Sequence, residues 1–343
     1  MTAPRPATIQ QVARKARVSA ATVSRLFNHP GLLDPATATR VRRAATALNF
    51  RPSRVGRNLR TEATRTLGVL VPTLANPVFA ECLDGIAAAA RDRGYSILVE
   101  TTDYRADAEH ATTEALLGHR VEGLILTVAD ARRNPELAKL ERERVPYVLV
   151  YNQVPGGRRP TVSVDNRAAA RDAVRLLVAA GHRRIAMVSG SFRASDRAQL
   201  RYLGYRDAMA AARLAAAEPV EVPFDIDDAR PALAAVLARR SAPTALFCSN
   251  DLLALVVMRD LARLGRAVPG DVSVVGFDGI RLSEVLQPAL TTVVQPSRAI
   301  GRAAAERLFA ELAGAARPAP LLLPHRLRAG GTVVPPRGSS PKS

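Results

Sequence analysis

The chain has 343 residues, of which 48% are hydrophobic and 23% are charged. This composition is typical of a folded globular protein, and the length allows two or three domains. The sequence shows neither a secretory leader nor an apolar run of about eighteen residues, so we expect no secretion and no membrane partner. Cys82 and Cys248 are too few for a disulfide framework, which favours a cytoplasmic protein.

Basic residues are concentrated at the amino-terminal end of the chain. The whole sequence has 49 Lys and Arg against 31 Asp and Glu, a net charge of +18, and an isoelectric point near 11.2. Residues 1–65 contain thirteen of the basic residues, but only Asp34 and Glu62 as acids. A generally arginine-rich composition would raise the arginine content along the whole chain. It does not explain why acidic residues are nearly absent from this segment. The concentration favours a polyanionic partner, because each neutralised phosphate releases a condensed counterion.

Three short helices are predicted in this basic segment. Thr8 and Gln11 have the spacing of a capping box, and Ser19 can cap a second helix over Ala20–Asn28. Asp34 precedes a proline at the first position of the third helix. Apolar residues recur at helical spacing in all three segments, so we expect a small helical domain.

The first two helices are joined by the tight turn Ala16-Arg17-Val18, which predicts a helix-turn-helix. In such domains the N-terminal half of the second helix enters the major groove of DNA. The residues expected to face outward from that half are Ala20, Ala21, Ser24 and Arg25. Arg25 has the forked donors that grip guanine. Four further residues suit phosphate contacts: Thr8, Ser19, Thr22 and Asn28. The open alternative is a basic three-helix bundle that contacts only protein.

From Thr66 onward, short apolar strands alternate with amphipathic helices. This alternation predicts parallel sheets covered on both faces, and about 230 residues of it suit two lobes rather than one sheet. The predicted strands are 67–71, 95–100, 123–128, 147–151, 161–164, 184–188, 244–248, 272–277 and 290–295. The clearest predicted helices are 78–93, 166–180, 197–212 and 252–264.

Polar residues follow several of these strands. Two tandem α/β lobes bind ligands in the cleft at the carboxyl ends of their strands. Asn250 and Asp251 follow one strand, Asp278 follows another, and Arg201 lies on the helix after a third. These side chains suit a polyhydroxylated ligand. The alternatives are that Asn250 and Asp251 cap a helix, that Arg201 pairs with a surface acid, and that Phe79 and Phe224 belong to the core of a lobe.

Ordered motifs run from Thr8 to about Val333. They are TIQQVARKARVSAATVSRLFN, ALNFRPSRVGRNLRT, TLGVLVPTLANPVF, SVDNRAA, GHRRIAMVSG, SNDLLAL, VPGDVSVVGFDG and PALTTVVQP. Together they resemble the lactose/galactose repressor (LacI/GalR) family of bacterial transcription regulators. The resemblance implies an N-terminal all-α helix-turn-helix domain and hinge helix, followed by an α/β periplasmic-binding-protein-like core of two parallel-sheet lobes. It also implies a homodimeric, allosteric, nucleoid-associated repressor of pseudo-palindromic double-stranded operator DNA.

The resemblance also implies domain boundaries. The headpiece is residues 1–50, the hinge 51–62, the N-terminal lobe 63–165 with 296–325, and the C-terminal lobe 166–295 with 326–335. Residues 336–343 are expected to form a disordered tail.

In this family the hinge becomes a short helix in the minor groove, and a leucine is wedged into the central base step. Leu59 matches that leucine and Arg54 matches the groove-facing basic position; the alternative is that Leu59 packs on the core. Gly56 stands where the family usually has alanine, which costs about 0.5–1 kcal/mol in a helix, so we expect the hinge to order reluctantly. Arg17 stands where the family usually has glycine, which is unfavourable if its φ is positive.

Matching the family's ligand pocket gives six candidate residues: Phe79, Arg201, Phe224, Asn250, Asp278 and Gln295. Tyr151, where many relatives carry an acid, and Arg197 are added as departures from the family pattern. Fewer acids and more arginines, including Arg193, suggest a carboxylated or phosphorylated ligand. The effector is therefore expected to be either a carbohydrate or an acidic metabolite.

No catalytic signature and no metal-ligand spacing occurs in the sequence, so we expect no enzyme activity, cofactor or metal. The acids Asp225, Asp227 and Asp228 are interpreted as partners of the helix start that follows them. Two alternative functions stay open. One is a periplasmic-type sugar-binding or sugar-metabolising protein with an accessory basic domain, and the other is a core whose state a protein partner sets.

Overall fold

The computed structural model describes residues 7–28, 30–50 and 64–337; the candidates Arg54 and Leu59 and the side chain of Asn28 lie outside the described part. The chain forms two compact units, Met1–Thr64 and Arg65–Ser343. Within the described ranges, no helix combines the length and the apolar character that a membrane span requires.

The first unit contains the three predicted helices: α1 (Ile9–Ala16), α2 (Ala20–Asn28) and α3 (Pro35–Ala47). The predicted caps are confirmed. The Thr8 hydroxyl accepts a hydrogen bond from the amide of Gln11 at 3.3 Å, and Ser19 accepts one from the amide of Thr22 at 3.1 Å. Asp34 accepts from two amides of the first turn of α3, each at 3.0 Å. The helices enclose a small apolar core of Val12, Ala13, Ala16, Val23, Leu26, Ala38, Val41, Ala44 and Ala45.

The second unit contains two six-stranded sheets. Its strands are β1 (Thr66–Val71), β2 (Ser96–Thr101), β3 (Gly123–Leu126), β4 (Tyr147–Val150), β5 (Thr161–Ser163), β6 (Ile185–Gly190), β7 (Val220–Val222), β8 (Ala245–Cys248), β9 (Ser273–Asp278), β10 (Thr291–Val294), β11 (Leu321–Leu322) and β12 (Arg326–Arg328). The first sheet has the order β11-β5-β4-β3-β1-β2 and is parallel throughout. The second has the order β12-β10-β9-β8-β6-β7, and only its edge strand β12 is antiparallel.

Helices connect these strands. They are α4 (Pro77–Asp92), α5 (Glu109–Gly118), α6 (Pro135–Arg142), α7 (Asn166–Ala179), α8 (Asp196–Ala211), α9 (Arg230–Leu237), α10 (Asp251–Arg263) and α11 (Ser297–Leu312). The nine predicted strands and the four clearest predicted helices are confirmed. The prediction of two parallel-sheet lobes is confirmed; the short strands β7, β11 and β12 were not predicted, and β12 adds one antiparallel strand at the edge of the second sheet.

Helices α4 and α11 pack closely because each has a glycine at the crossing. A Cβ added at Gly85 would lie 2.1 Å from the carbonyl oxygen of Arg298, and one added at Gly301 would lie 2.0 Å from that of Cys82. No side chain fits at such distances, so the two glycines set the spacing of the helices.

The carboxyl ends of the strands in both sheets border one cleft. Asn76 lies after β1 at the start of α4, and Tyr151 follows β4 in the first lobe. Asn250 follows β8, and Asp278 ends β9 in the second lobe. The amino ends of the parallel strands therefore lie at the edge of each sheet that is farther from the cleft.

Candidate functional site

Helix α2 presents the predicted face to solvent. Val23 is fully buried and Leu26 nearly so, whereas Ala20, Ala21 and Arg25 are exposed. The guanidinium group of Arg25 and the two methyl groups therefore lie on one accessible surface. This is the arrangement that base recognition in the major groove requires.

The hydroxyls expected to contact phosphate lie at helix starts. Thr8 and Ser19 are exposed N-cap residues, and the Ser19 and Thr22 hydroxyl oxygens are 2.9 Å apart. Ser24 is half-buried. A helix N-terminus favours phosphate, because its first N–H groups have no partner within the helix.

The turn before α2 holds a residue in a strained conformation. Arg17 has φ +52° and ψ +49°, the left-handed region, and its amide closes the end of α1. Arg17 therefore has the positive φ that makes arginine unfavourable at this position. An L-residue in this conformation costs about 1–2 kcal/mol relative to glycine.

All eight predicted ligand residues line one chamber between the two lobes: Phe79, Tyr151, Arg197, Arg201, Phe224, Asn250, Asp278 and Gln295. Six residues that were not predicted to contact a ligand complete it: Asn76, Val78, Tyr104, Ser195, Ala198 and Ser249. The chamber has a cavity volume of about 30 Å³, which is room for one or two water molecules.

A buried ion pair forms the centre of this chamber. Arg201 Nη1 lies 3.6 Å from Asp278 Oδ1, and both side chains are less than a tenth exposed. The guanidinium carbon also lies 3.6 Å from the centroid of the Phe277 ring. Burial lowers the pKa of Arg201 to about 10 and raises the pKa of Asp278, which Arg201 lowers in turn. The two charges therefore stabilise each other in a site with little water.

Amides from both lobes complete the partners of Asp278. Gln295 Nε2 donates to Oδ1 at 2.9 Å, and Asn76 Nδ2 donates to Oδ2 at 3.3 Å from the other lobe. The backbone at Asp278 has φ +119°, a conformation that L-residues rarely adopt. Sequence reasoning missed Asn76, although the Asn-Pro pair just after a strand is the kind of signal that identified Asn250.

A second polar network joins the lobes beside the chamber. Asn152 Nδ2 donates to both carboxylate oxygens of Asp196 at 2.8 and 2.9 Å, and the amide of Ala131 donates to the same group at 3.0 Å. Arg197 Nη1 donates to the carbonyl oxygen of Val128 at 2.8 Å and lies 3.3 Å from Asp196. Arg197 is thus already paired with a carboxylate.

Aromatic side chains separate the chamber from an outer hollow. Tyr104, after β2, and Phe224, after β7, stack with their centroids 4.2 Å apart and their planes at 9°. The outer hollow has a cavity volume of about 180 Å³, and both rings line it. Burial raises the pKa of Tyr104 to about 12. Sequence reasoning missed Tyr104, although an aromatic residue just beyond a strand end was available as a signal.

Tyr151 and Phe79 contribute ring surface rather than polar groups. Their rings meet edge to face with centroids 5.6 Å apart. The Tyr151 hydroxyl donates to the carbonyl oxygen of Val78 at 2.8 Å. Tyr151 therefore forms an apolar part of the chamber wall.

Asn250 and Asp251 have different roles. Asn250 lines the chamber and also caps α10, since its Oδ1 accepts from the amide of Leu253 at 2.7 Å. Asp251 is fully buried behind the chamber and accepts from the amides of Gly279 and Ile280, each at 2.9 Å. Burial raises the pKa of Asp251 to about 7. Asp251 therefore supports the loop after Asp278.

Two further groups of acids contact other parts of the protein. Asp228 accepts from the amide of Arg230 at 2.9 Å at the start of α9, which agrees with the helix-start interpretation. His110, Glu114 and Glu136 offer ligand atoms within 4.8 Å of one another. His110 Nδ1 lies 2.8 Å from Glu136, and Lys139 forms an ion pair with Glu114 at 2.7 Å, so each of these groups has a partner in the fold.

Comparisons with known proteins give matches over most of the chain. A family described as "Bacterial regulatory proteins, lacI family" matches residues 8–53. One described as "Periplasmic binding proteins and sugar binding domain of LacI family" matches residues 64–329.

Individual relatives match along most of their length. The HTH-type transcriptional repressor CytR of Escherichia coli (strain K12) is 33% identical over 313 residues, which cover 90% of each chain. The lac repressor dimer bound to operator and the anti-inducer ONPF superposes with a TM-score of 0.82 at 27% identity, covering 96% of this chain and 100% of that one. A complex of the transcriptional regulator CelR with cellobiose gives a TM-score of 0.71 at 30% identity, covering 95% and 100%. The chain therefore belongs to the LacI family of bacterial regulatory proteins, with a helix-turn-helix domain ahead of a periplasmic-binding-protein-like sugar-binding domain.

Proposed function

We propose that the protein is a cytoplasmic, nucleoid-associated transcription repressor, not an enzyme, that binds a pseudo-palindromic operator as a homodimer. A small metabolite in the cleft between the lobes changes its affinity for DNA. The observation that carries this proposal is that one chain has both an exposed recognition face on α2 and a polar chamber lined by residues from two lobes.

The DNA-binding role rests on the charge and exposure of the first unit. Arg25 is exposed on α2, and Thr8 and Ser19 are exposed at helix starts. Arg25 reads guanine, and the hydroxyls and helix ends set the register through phosphates. The hinge residues Arg54 and Leu59 are proposed to contact the minor groove, where an apolar wedge opens a base step and kinks the duplex.

The charges in the chamber favour a neutral, hydroxyl-rich ligand. Arg201 is paired with Asp278, and Arg197 with Asp196, so neither guanidinium group needs a carboxylate or phosphate from a ligand. Amide and carboxylate groups remain at the wall to exchange hydrogen bonds with hydroxyls, while Phe79 and Phe224 offer ring faces. We therefore favour a carbohydrate over an acidic metabolite. The CelR complex with cellobiose supports this class of ligand by likeness.

Exposed apolar residues next to the cleft support a homodimer. Leu74 is 55% exposed, Leu282 49% and Val285 72%. Leu282 lies in a short 3-10 helix, Arg281–Glu284. Burial raises the pKa of Glu81 on α4 and the charge of Arg281 lowers it, so this 3-10 helix is near α4. Exposed apolar side chains of this size favour burial against a second copy of the chain, and the similar lac repressor is a dimer.

The ligand acts through its different affinity for the two lobe arrangements. Asn76–Asp278, Asn152–Asp196 and Arg197–Val128 all cross between lobes. A ligand that strengthens or replaces these contacts shifts the population between DNA-competent and incompetent states, typically by about 1–3 kcal/mol.

The test begins with selection of duplexes from random DNA by the purified full-length chain. We expect a symmetric consensus, and Arg25→Ala should relax the preference at one symmetric guanine position, costing about 1–3 kcal/mol there. Arg43→Ala, an exposed arginine on α3, is the matched control and should keep the consensus. Equal binding of selected and random duplexes, or a monomer in sedimentation, would refute the proposal.

Titration calorimetry with neutral sugars and with phosphorylated or carboxylated metabolites tests the ligand class. Binding of only the charged compounds would overturn the preference for a neutral ligand. Turnover of any of them would favour the alternative of a sugar-metabolising protein.

A further inference from the structure

The outer hollow is acidic, although the whole chain has a net charge of +18. Asp103 follows β2 in the first lobe and Asp225 follows β7 in the second, and both residues line the hollow. Both side chains are exposed. Among the described residues that line the hollow, none is basic. A group that binds there therefore meets two carboxylates and no guanidinium group.

The arginines that follow these two acids in the chain pair with other carboxylates. Asp107 and, to a smaller extent, Asp103 raise the pKa of Arg105, so Arg105 is near both acids. Its guanidinium group donates two hydrogen bonds to Asp107, at 3.2 Å from Nε and 2.8 Å from Nη2. After β7, Arg230 pairs with Asp228 at 2.7 Å. Within the described ranges, the two acids of the hollow thus form no ion pair.

The charges of the chamber are already balanced. Arg201 pairs with Asp278 at 3.6 Å, and Arg197 lies 3.3 Å from Asp196. These pairs favour a neutral, hydroxyl-rich group in the chamber. The charge that is left without a paired counterion lies in the outer hollow and is negative, so a cation is the group that balances it.

One ligand can reach both spaces when the Tyr104–Phe224 stack opens. Both rings, together with Asn76 and Asn250, line the chamber and the hollow. The hollow, at about 180 Å³, exceeds several-fold the roughly 30 Å³ that one water molecule occupies in the liquid. An aromatic ring attracts a cation placed within about 6 Å of its face. A cation in the hollow therefore interacts favourably with carboxylates and with aromatic rings.

The backbone after β2 holds an acid and a ring at the hollow in an unfavourable conformation. Asp103 and Tyr104 are consecutive residues with φ values of +50° and +59°. This left-handed region is unfavourable for residues other than glycine, and such strain is concentrated at ligand-binding sites. The conformation therefore fits a loop that positions side chains for a ligand.

We propose that the effector is a hydroxyl-rich amine: its neutral, hydroxyl-bearing part fills the chamber, and its ammonium group binds in the outer hollow with Asp103 and Asp225. The two acids belong to different lobes, so one cation attracts both lobes and favours closure. Without the cation, the two like charges oppose closure. This inference rests on the proposed function, because it names the class of ligand for the same cleft.

Matched sugars test the need for the positive charge. The probes are glucosamine, galactosamine and the glucosamine disaccharide, each compared with its N-acetylated form and its parent sugar. Acetylation removes the charge of the amine. In titration calorimetry with the full-length chain, at least one amine should bind about tenfold more tightly than its N-acetylated form, which is about 1.4 kcal/mol shared between two exposed ion pairs. The preference should shrink in about 1 M salt, which screens exposed charges.

Variants of the two acids test where the charge binds. Asp103→Asn/Asp225→Asn should remove the preference for the amine and keep the affinity for the parent sugar. Because both side chains are exposed and form no ion pair within the described ranges, the double variant should keep the thermal midpoint of the wild type. The matched control is Asp227→Asn, since Asp227 is also exposed and follows β7 but does not line the hollow. It should keep the preference.

The inference is overturned if the sugars bind and no amine binds more tightly than its N-acetylated form. It is also overturned if the double variant keeps the preference, or if Asp227→Asn removes it equally. If none of the amines, N-acetylated forms or parent sugars binds, the proposed carbohydrate effector itself fails, which is a different result from binding without a preference.

Discussion

Removing Arg201 should destabilise the core by leaving a buried carboxylate without its cation. Asp278 is 4% exposed, and the Arg201 guanidinium group 3.6 Å away is its paired cation. Breaking a buried pair by removing one partner typically costs about 3–5 kcal/mol. We therefore expect Arg201→Met to lower the free energy of unfolding by this amount at neutral pH. The assay is urea unfolding followed by circular dichroism, because the chain has no tryptophan.

The pH dependence of this destabilisation follows from the pKa of Asp278. Burial raises that pKa and Arg201 lowers it, so the variant should hold the Asp278 proton more tightly than the wild type. A raised carboxyl pKa means that stability falls as pH rises through it, because the unfolded chain releases the proton first. The destabilisation by Arg201→Met should therefore be smaller at pH 5 than at pH 8.

Two further variants make this reasoning refutable. Arg206→Met removes an exposed arginine from the same helix and should change stability by no more than about 0.5 kcal/mol. Arg201→Met/Asp278→Asn removes both charges and should recover a large part of the stability. If Arg201→Met costs no more than Arg206→Met, or if the double variant is as unstable as the sum of its single changes, the pair does not stabilise the fold as argued.

Three other changes have expected outcomes. Gly301→Ala places a Cβ 2.0 Å from a carbonyl oxygen of α4 and should cost about 1–3 kcal/mol; Gly118→Ala, with no atom within 4 Å, should be neutral or stabilising in the same urea assay. Arg17→Gly relieves φ +52° and should raise the stability of the first unit by about 1 kcal/mol, read from its thermal midpoint. Burial raises the pKa of Asp251 from 3.8 to about 7, so the free energy of unfolding falls as the pH rises between these two values. Asp251→Asn should therefore make the urea midpoint depend less on pH over this range.

Local patterns were sufficient to predict most of the fold. The caps at Thr8, Ser19 and Asp34 depend on neighbours within three residues, and the central strands are continuous apolar runs. The edge strands β11 and β12 have only two and three residues. No periodicity develops over that length, and their pairing with β5 and β10 depends on tertiary contacts.

The positions of the site residues could be predicted from the sequence, but the side chains with which they pair could not. Parallel strands end at one edge of a sheet, so residues after strand ends converge, and all eight candidates do line one chamber. The pairing of Arg201 with Asp278 joins residues far apart in the chain. Because this pairing depends on how α8 packs against the end of β9 within the second lobe, the sequence shows an excess of arginine where the structure has neutralised ion pairs.

The small space inside the chamber has a kinetic consequence. A cavity of about 30 Å³ is smaller than a sugar, so binding of the proposed sugar requires the Tyr104–Phe224 stack and the contacts between lobes to separate. Effector association then cannot exceed the opening rate of the cleft. The apparent dissociation constant equals the intrinsic constant divided by the fraction of molecules that are open. A substitution that raises the open fraction would therefore lower the apparent dissociation constant of the proposed effector, provided that the intrinsic constant is unchanged.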